Sequence, residues 1–193
     1  MPASRITTIV AVALLAATGC ESPISVSNDT NQQLPSPPAP TSSSRPSNDK
    51  LVNAFDYYAR TDEDNAGYYF VSPSGSWRCV IVPRTWAGCQ SSGGGLGVTG
   101  APRTVTDDSG QSVAPNSILV RTEGDPQFAS VKAEEFTPPT GAAKTLPFDK
   151  VLAAAGFRCN VGQEAGISCV SDHTDKGFTF TTSGAGWQYT DVP

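Results

Sequence analysis

Any chemistry this chain performs would have to come from few polar side chains. His173 is the only histidine, so a Ser-His-acid site would need it as the base. It lies in Ser171-Asp172-His173-Thr174-Asp175-Lys176, a polar turn between strand-like runs, and no serine sits in a strand-turn-helix nucleophile elbow. The expectation is a solvated loop histidine. The adjacent acids Asp107-Asp108 and Glu134-Glu135 could supply donor and acceptor for glycoside hydrolysis, against a simpler role as solubilising charge. Tyr68, Tyr69 and Trp187 could form a sugar platform, although strand aromatics more often fill cores. Gly95-Leu96-Gly97-Val98-Thr99-Gly100 has the spacing of a phosphate-binding loop. No convincing strand precedes it, and Ala101-Pro102 interrupts the helix that would receive a pyrophosphate, so a glycine-rich loop and no cofactor are expected. Asp62-Glu63-Asp64-Asn65-Ala66-Gly67 opens like a calcium loop, but Pro73 stands where the bidentate glutamate is needed. No metal site is expected, because no cysteine pair has close ligand spacing.

The cysteines carry a stronger signal. Trp77-Arg78-Cys79, nine residues and Cys89 are mirrored by Phe157-Arg158-Cys159, nine residues and Cys169, an internal repeat. If each unit is a β-hairpin with its cysteines opposed, one face of the second carries Phe157, Cys159, Val161, Ile167 and Cys169. Its other face carries Arg158, Asn160, Ser168 and Val170, an apolar-in, polar-out alternation. The first hairpin offers the matching apolar face, Trp77, Cys79, Ile81, Ala87 and Cys89. The expected disulfides are therefore Cys79 with Cys89 and Cys159 with Cys169, each worth up to about 3 kcal/mol in the loop-entropy account. On the first hairpin's other face, Val80, Val82 and Trp86 are apolar and need a cover. A neighbouring strand or the N-terminal helix could provide it; otherwise they form a ligand-facing patch with Trp86 as its anchor.

Met1 to Gly19 reads as a leader in which Arg5 is the only charged side chain. It ends in Ala17-Thr18-Gly19-Cys20, which resembles the lipobox of bacterial lipoproteins. That resemblance implies a diacylglyceryl group on Cys20 and cleavage before it, and the acyl chains give a stable anchor. Cys20 is also the one cysteine left without a partner. Residues 20–49 are rich in proline and serine and read as a disordered tether, and residues 50–193 as a single folded extracellular domain. The net charge of −5 argues against nucleic-acid partners.

Asn48-Asp49 followed by Leu51, Ala54, Phe55 and Tyr58 suggests a short helix. Beyond Gly67 the runs read as strands: 68–71, 77–82, 86–90, 118–121, 128–132, 157–161, 167–170, 178–182 and 187–189. The stretch 91–116 reads as an irregular loop. The expected fold is thus mainly β: a small disulfide-stapled domain built on two Cys-x9-Cys hairpin repeats with a short N-terminal helix.

Phe70-Val71-Ser72-Pro73-Ser74-Gly75, Thr145-Leu146-Pro147-Phe148, Gly156-Phe157-Arg158-Cys159, Gly166-Ile167-Ser168-Cys169 and Gly177-Phe178-Thr179-Phe180 together resemble a family of small exported domains and lipoproteins of actinobacteria. The resemblance brings no established activity with it. The expected function is a non-catalytic binding module on the outer face of the cytoplasmic membrane, exposed to the cell wall. Its partners would be the membrane, through the anchor, and an envelope protein or glycan. The alternatives are a secreted hydrolase using paired carboxylates and a structural surface protein.

Overall fold

The computed structural model describes residues 47–60 and 66–193; the leader, Cys20, most of the tether and the acidic run 62–65 lie outside the described residues. The first half of the chain forms β1 (Tyr58–Arg60), β2 (Ala66–Val71), β3 (Trp77–Val82) and β4 (Trp86–Ser91). A small hairpin, β5 (Val105–Thr106) and β6 (Ser112–Val113), precedes β7 (Ser117–Arg121), β8 (Gln127–Ala129) and β9 (Lys144–Thr145). The second half runs through β10 (Val151–Ala154), β11 (Phe157–Gly162), β12 (Gly166–Ser171), β13 (Gly177–Thr181) and β14 (Gly184–Gly186). One sheet has the order β1-β2-β3-β4-β7-β8, with β9 parallel to β2 beside Phe70 and Val71. The other is the meander β10-β11-β12-β13-β14.

Both predicted hairpins form in the expected register, with Cys79 opposite Cys89 and Cys159 opposite Cys169. Both disulfides are made, with Cα separations of 4.1 and 4.2 Å, the close approach of a non-hydrogen-bonded pair. The duplication is wider than the hairpins. Across the first sheet the cystine lies in a rung Phe70-Cys79-Cys89-Ile118, and across the second in a rung Leu152-Cys159-Cys169-Phe178. Each cystine is thus the centre of a four-stranded antiparallel meander, β2-β3-β4-β7 in one half and β10-β11-β12-β13 in the other. The two cystine-bearing faces join in one core, and Trp77 meets Phe180 edge-on at 4.6 Å across it.

The turns entering the two hairpins solve the same problem differently. Ser72-Pro73-Ser74-Gly75 is a side-chain-tied turn: Ser72 Oγ accepts from the Trp77 N–H (3.2 Å) and contacts Ser74 Oγ (3.0 Å), with Gly75 at φ 71°. Its counterpart is the two-residue turn Ala155-Gly156, with φ of 49° and 94°. Positive φ at both positions is the pattern that suits the twist of a tight hairpin.

Three expectations change. Instead of a helix capped by Asn48-Asp49, the N-terminal segment makes one 3-10 turn, Ala54–Tyr57, with Asn53 Oδ1 accepting from the Phe55 N–H. Leu51 and Val52 are drawn to Val151, whose carbonyl accepts from the Val52 N–H at 3.0 Å, and so are lost to a helix. Residues 187–189 are not a strand; β14 ends at Gly186. The chain instead crosses the outer face of the second sheet, where Asn160 Nδ2 donates to the Tyr189 hydroxyl and the Thr190 carbonyl, both at 2.9 Å. Thr179 Oγ1 donates to the Gln188 carbonyl at 2.7 Å. The polar outward face of that sheet is therefore buried, Asn160 and Ser168 almost completely. Burial pushes the Tyr189 hydroxyl up to about 12, helped by the nearby Asp191 charge.

Candidate functional site

The outer face of the first sheet carries Tyr69, Val80, Trp86 and Leu119, and Phe136 packs over them. Phe136 comes from the 3-10 turn Ala133–Phe136, which follows β8, so the cover is neither the N-terminal segment nor a strand. Its ring meets Trp86 edge-on at 5.5 Å. Val80 is sealed, Val82 half-buried, and Trp86 keeps 8% exposure. The three residues do not form an open apolar patch; only Trp86 reaches a concave surface.

That surface is a cleft of about 810 Å³ beside the cover. Trp86 and Leu119 belong to its floor, and Arg121 joins them because the register sets it directly opposite Trp86. One wall is the segment Ser130–Lys132 with Ala133 and Glu135. Asn116 fixes it by acting as a surrogate backbone: its Nδ2 donates to the Val131 carbonyl and its Oδ1 accepts from the Val131 N–H, both at 2.9 Å. Gln90 Nε2 adds a third bond to the same carbonyl at 3.1 Å.

The opposite wall is the β5–β6 loop, Asp107-Asp108-Ser109. Asp107 Oδ1 accepts from the Ser109 hydroxyl (2.7 Å), the Gln111 N–H (2.8 Å) and the Ser109 N–H (2.9 Å). These bonds, the Ser109 hydroxyl first, hold its carboxyl below the usual range. Asp107 is thus ionised at neutral pH and occupied in shaping the loop; it has no proton to give a leaving group. A second recess of about 360 Å³ shares Asp107, Asp108 and Arg121 and extends to Gln127 and Phe128.

Both predicted acid pairs therefore contribute to one cleft, through Asp107, Asp108 and Glu135, whereas Glu134 is not part of its lining. The ion pairs among the described residues are Lys144–Asp56, Arg158–Asp172, His173–Glu123 and Lys176–Asp125. Arg121, Lys132, Asp108 and Glu135 line the cleft and make no ion pair among the described residues. Neither Arg121 nor Lys132 belongs to a motif; strand register and the Asn116 clamp put them there.

The other candidates scatter. His173 Nε2 is 4.0 Å from Glu123 Oε1 on an exposed loop, and the Ser171 hydroxyl donates to the Thr122 carbonyl. Tyr68 packs toward the core with its ring 5.2 Å from Tyr58, Tyr69 points to the opposite face, and Trp187 lies against Phe128 at 5.2 Å. They make no shared platform. In the glycine-rich loop Leu96 and Val98 are buried in the core, and no helix follows, so the loop is a plug. Among the described residues no group of three or more His, Cys, Asp or Glu side chains is placed to hold a metal ion. No family model, curated protein or solved structure matches the chain.

Proposed function

We propose that this protein is a lipid-anchored cell-envelope component that acts by binding rather than catalysis, with the cleft beside Trp86 as its binding site. The observation that carries the reading is that cleft: a walled concavity with an apolar floor and charges of both signs that make no ion pair among the described residues. Support for its location comes from the leader, the Cys20 lipobox and the Pro/Ser-rich tether, together with two disulfides suited to an oxidising compartment. The anchor holds the domain at the outer face of the cytoplasmic membrane, with an envelope protein or glycan as the partner. The resemblance to small exported actinobacterial lipoproteins agrees with this reading.

The test is affinity capture from the native envelope with the lipidated protein and its Arg121→Glu variant, which changes an exposed cleft residue. The expected result is a specific component retained by the parent and lost by the variant. Equal recovery by both would refute the cleft, and no specific recovery would refute the binding reading. A second reading, hydrolysis between Asp108 and Glu135, draws support from their position on one cleft. Release of new reducing ends from cell-wall glycan, abolished by Glu135→Gln, would establish it instead.

A further inference from the structure

We infer that the cleft takes a short peptide bearing both a free ammonium group and a carboxylate. The inference rests on the binding reading and adds the ligand's chemistry. Among the described residues Lys144 pairs with Asp56 at 2.9 Å and Lys176 with Asp125 at 2.7 Å. Around the cleft no such pair forms among the described residues, although two cations and three anions line it. Their supports explain this. Arg121 ends β7, Lys132 and Glu135 sit on the wall clamped by Asn116, and Asp108 rides the loop that Asp107 ties in place. The charges are held apart, which leaves each available to an outside group.

The alternatives fit the lining less well. An anionic ligand attracted to Arg121 and Lys132 would also meet the carboxylates of Asp107, Asp108 and Glu135, and a cationic ligand would meet the guanidinium. A neutral sugar binds best by stacking on an open aromatic face, and Trp86 is 8% exposed with Phe136 against it. A zwitterion satisfies both signs at once: its carboxylate pairs with the planar donor fork of Arg121, and its ammonium with Asp108 or Glu135. The apolar floor at Trp86 and Leu119 accepts a small side chain between them. The volume of about 810 Å³ is that of a small-ligand site and suits a few residues of extended chain.

The test uses the lipidated protein in detergent micelles, with amide resonances of Ser130, Lys132 and Arg121 as reporters. The probes are a library of tripeptides with free ends, the same library acetylated at the amino end or amidated at the carboxyl end, and a trimer of N-acetylglucosamine. The expected result is that the free library shifts the reporters and either block weakens binding by about tenfold or more, the loss of one charge-assisted contact. Arg121→Gln should make binding insensitive to amidation while leaving the effect of acetylation. Blocked peptides binding as well as free ones would overturn the inference, as would no shift with any peptide. If the sugar trimer alone shifts the reporters, the ligand class is wrong and the binding cleft stands. If no probe shifts them and envelope capture is independent of Arg121, both readings fall together.

Discussion

Removing one disulfide at a time tests the duplicated architecture directly. Each cystine closes a loop with a sequence separation of ten, for which loop entropy gives about 2.8 kcal/mol. All four cysteines are at most 1% exposed, so replacing a pair by alanine also leaves two sulfur-sized voids, adding about 1 kcal/mol. The expected loss is therefore roughly 3 to 4 kcal/mol for Cys79→Ala with Cys89→Ala, and the same within about 1 kcal/mol for Cys159→Ala with Cys169→Ala. Urea unfolding at neutral pH, followed by tryptophan fluorescence with the leader removed, measures both. Because the cystines face a shared interior, dithiothreitol should reduce them only as fast as the whole domain unfolds. A difference above about 2 kcal/mol between the variants would refute the equivalence of the two halves. Reduction under native conditions at a rate proportional to thiol would refute the shared interior. Peptide mapping that joined Cys79 to Cys159 would refute the register itself.

Three further outcomes follow from local geometry. The Tyr189 hydroxyl has its pKa raised from 10.0 to about 12, so folding favours its neutral form. The resulting stability is fully present below about pH 10 and is lost as pH rises toward 12; Tyr189→Phe should remove the latest phase of the tyrosinate absorbance titration and flatten the stability slope in that window. Ala155 sits at φ 49° ahead of Gly156, where asparagine is the favoured residue of this turn, so Ala155→Asn should raise stability by about 0.5 to 1 kcal/mol in the same urea assay. A side chain at Gly166, which has φ 87°, would collide with the Phe180 carbonyl oxygen, and Gly166→Ala should cost about 2 to 4 kcal/mol.

The hairpins were legible because two constraints coincide in them. The Cys-x9-Cys spacing sets the register, and the alternation of Phe157, Cys159 and Val161 with Arg158 and Asn160 sets the face. By contrast, β10 was not legible: Val151-Leu152-Ala153-Ala154 favours helix locally, and it is a strand because pairing with β11 completes the sheet. The need for a cover over Val80 and Trp86 was visible, but its source was not. The covering segment is held by side-chain bonds from Asn116 and Gln90 to Val131, which leave no periodicity to read. The candidate site divides the same way. The carboxylates stand as adjacent pairs in sequence, but their meeting with Arg121 depends on the opposition of Trp86 and Arg121 across β4 and β7.

The paired meanders depend on each other for cover. Each half presents an apolar cystine face, Phe70, Cys79, Cys89 and Ile118 in one and Leu152, Cys159, Cys169 and Phe178 in the other, and each face is buried in the core they share. A polypeptide encoding one meander alone would leave that face in water and would be driven to self-associate through it. Within one chain the two meanders therefore stand to each other as the halves of a face-to-face dimer would. Being joined, their outer surfaces need not be alike: one is polar and lies under Gln188–Thr190, the other carries an aromatic cover and the cleft.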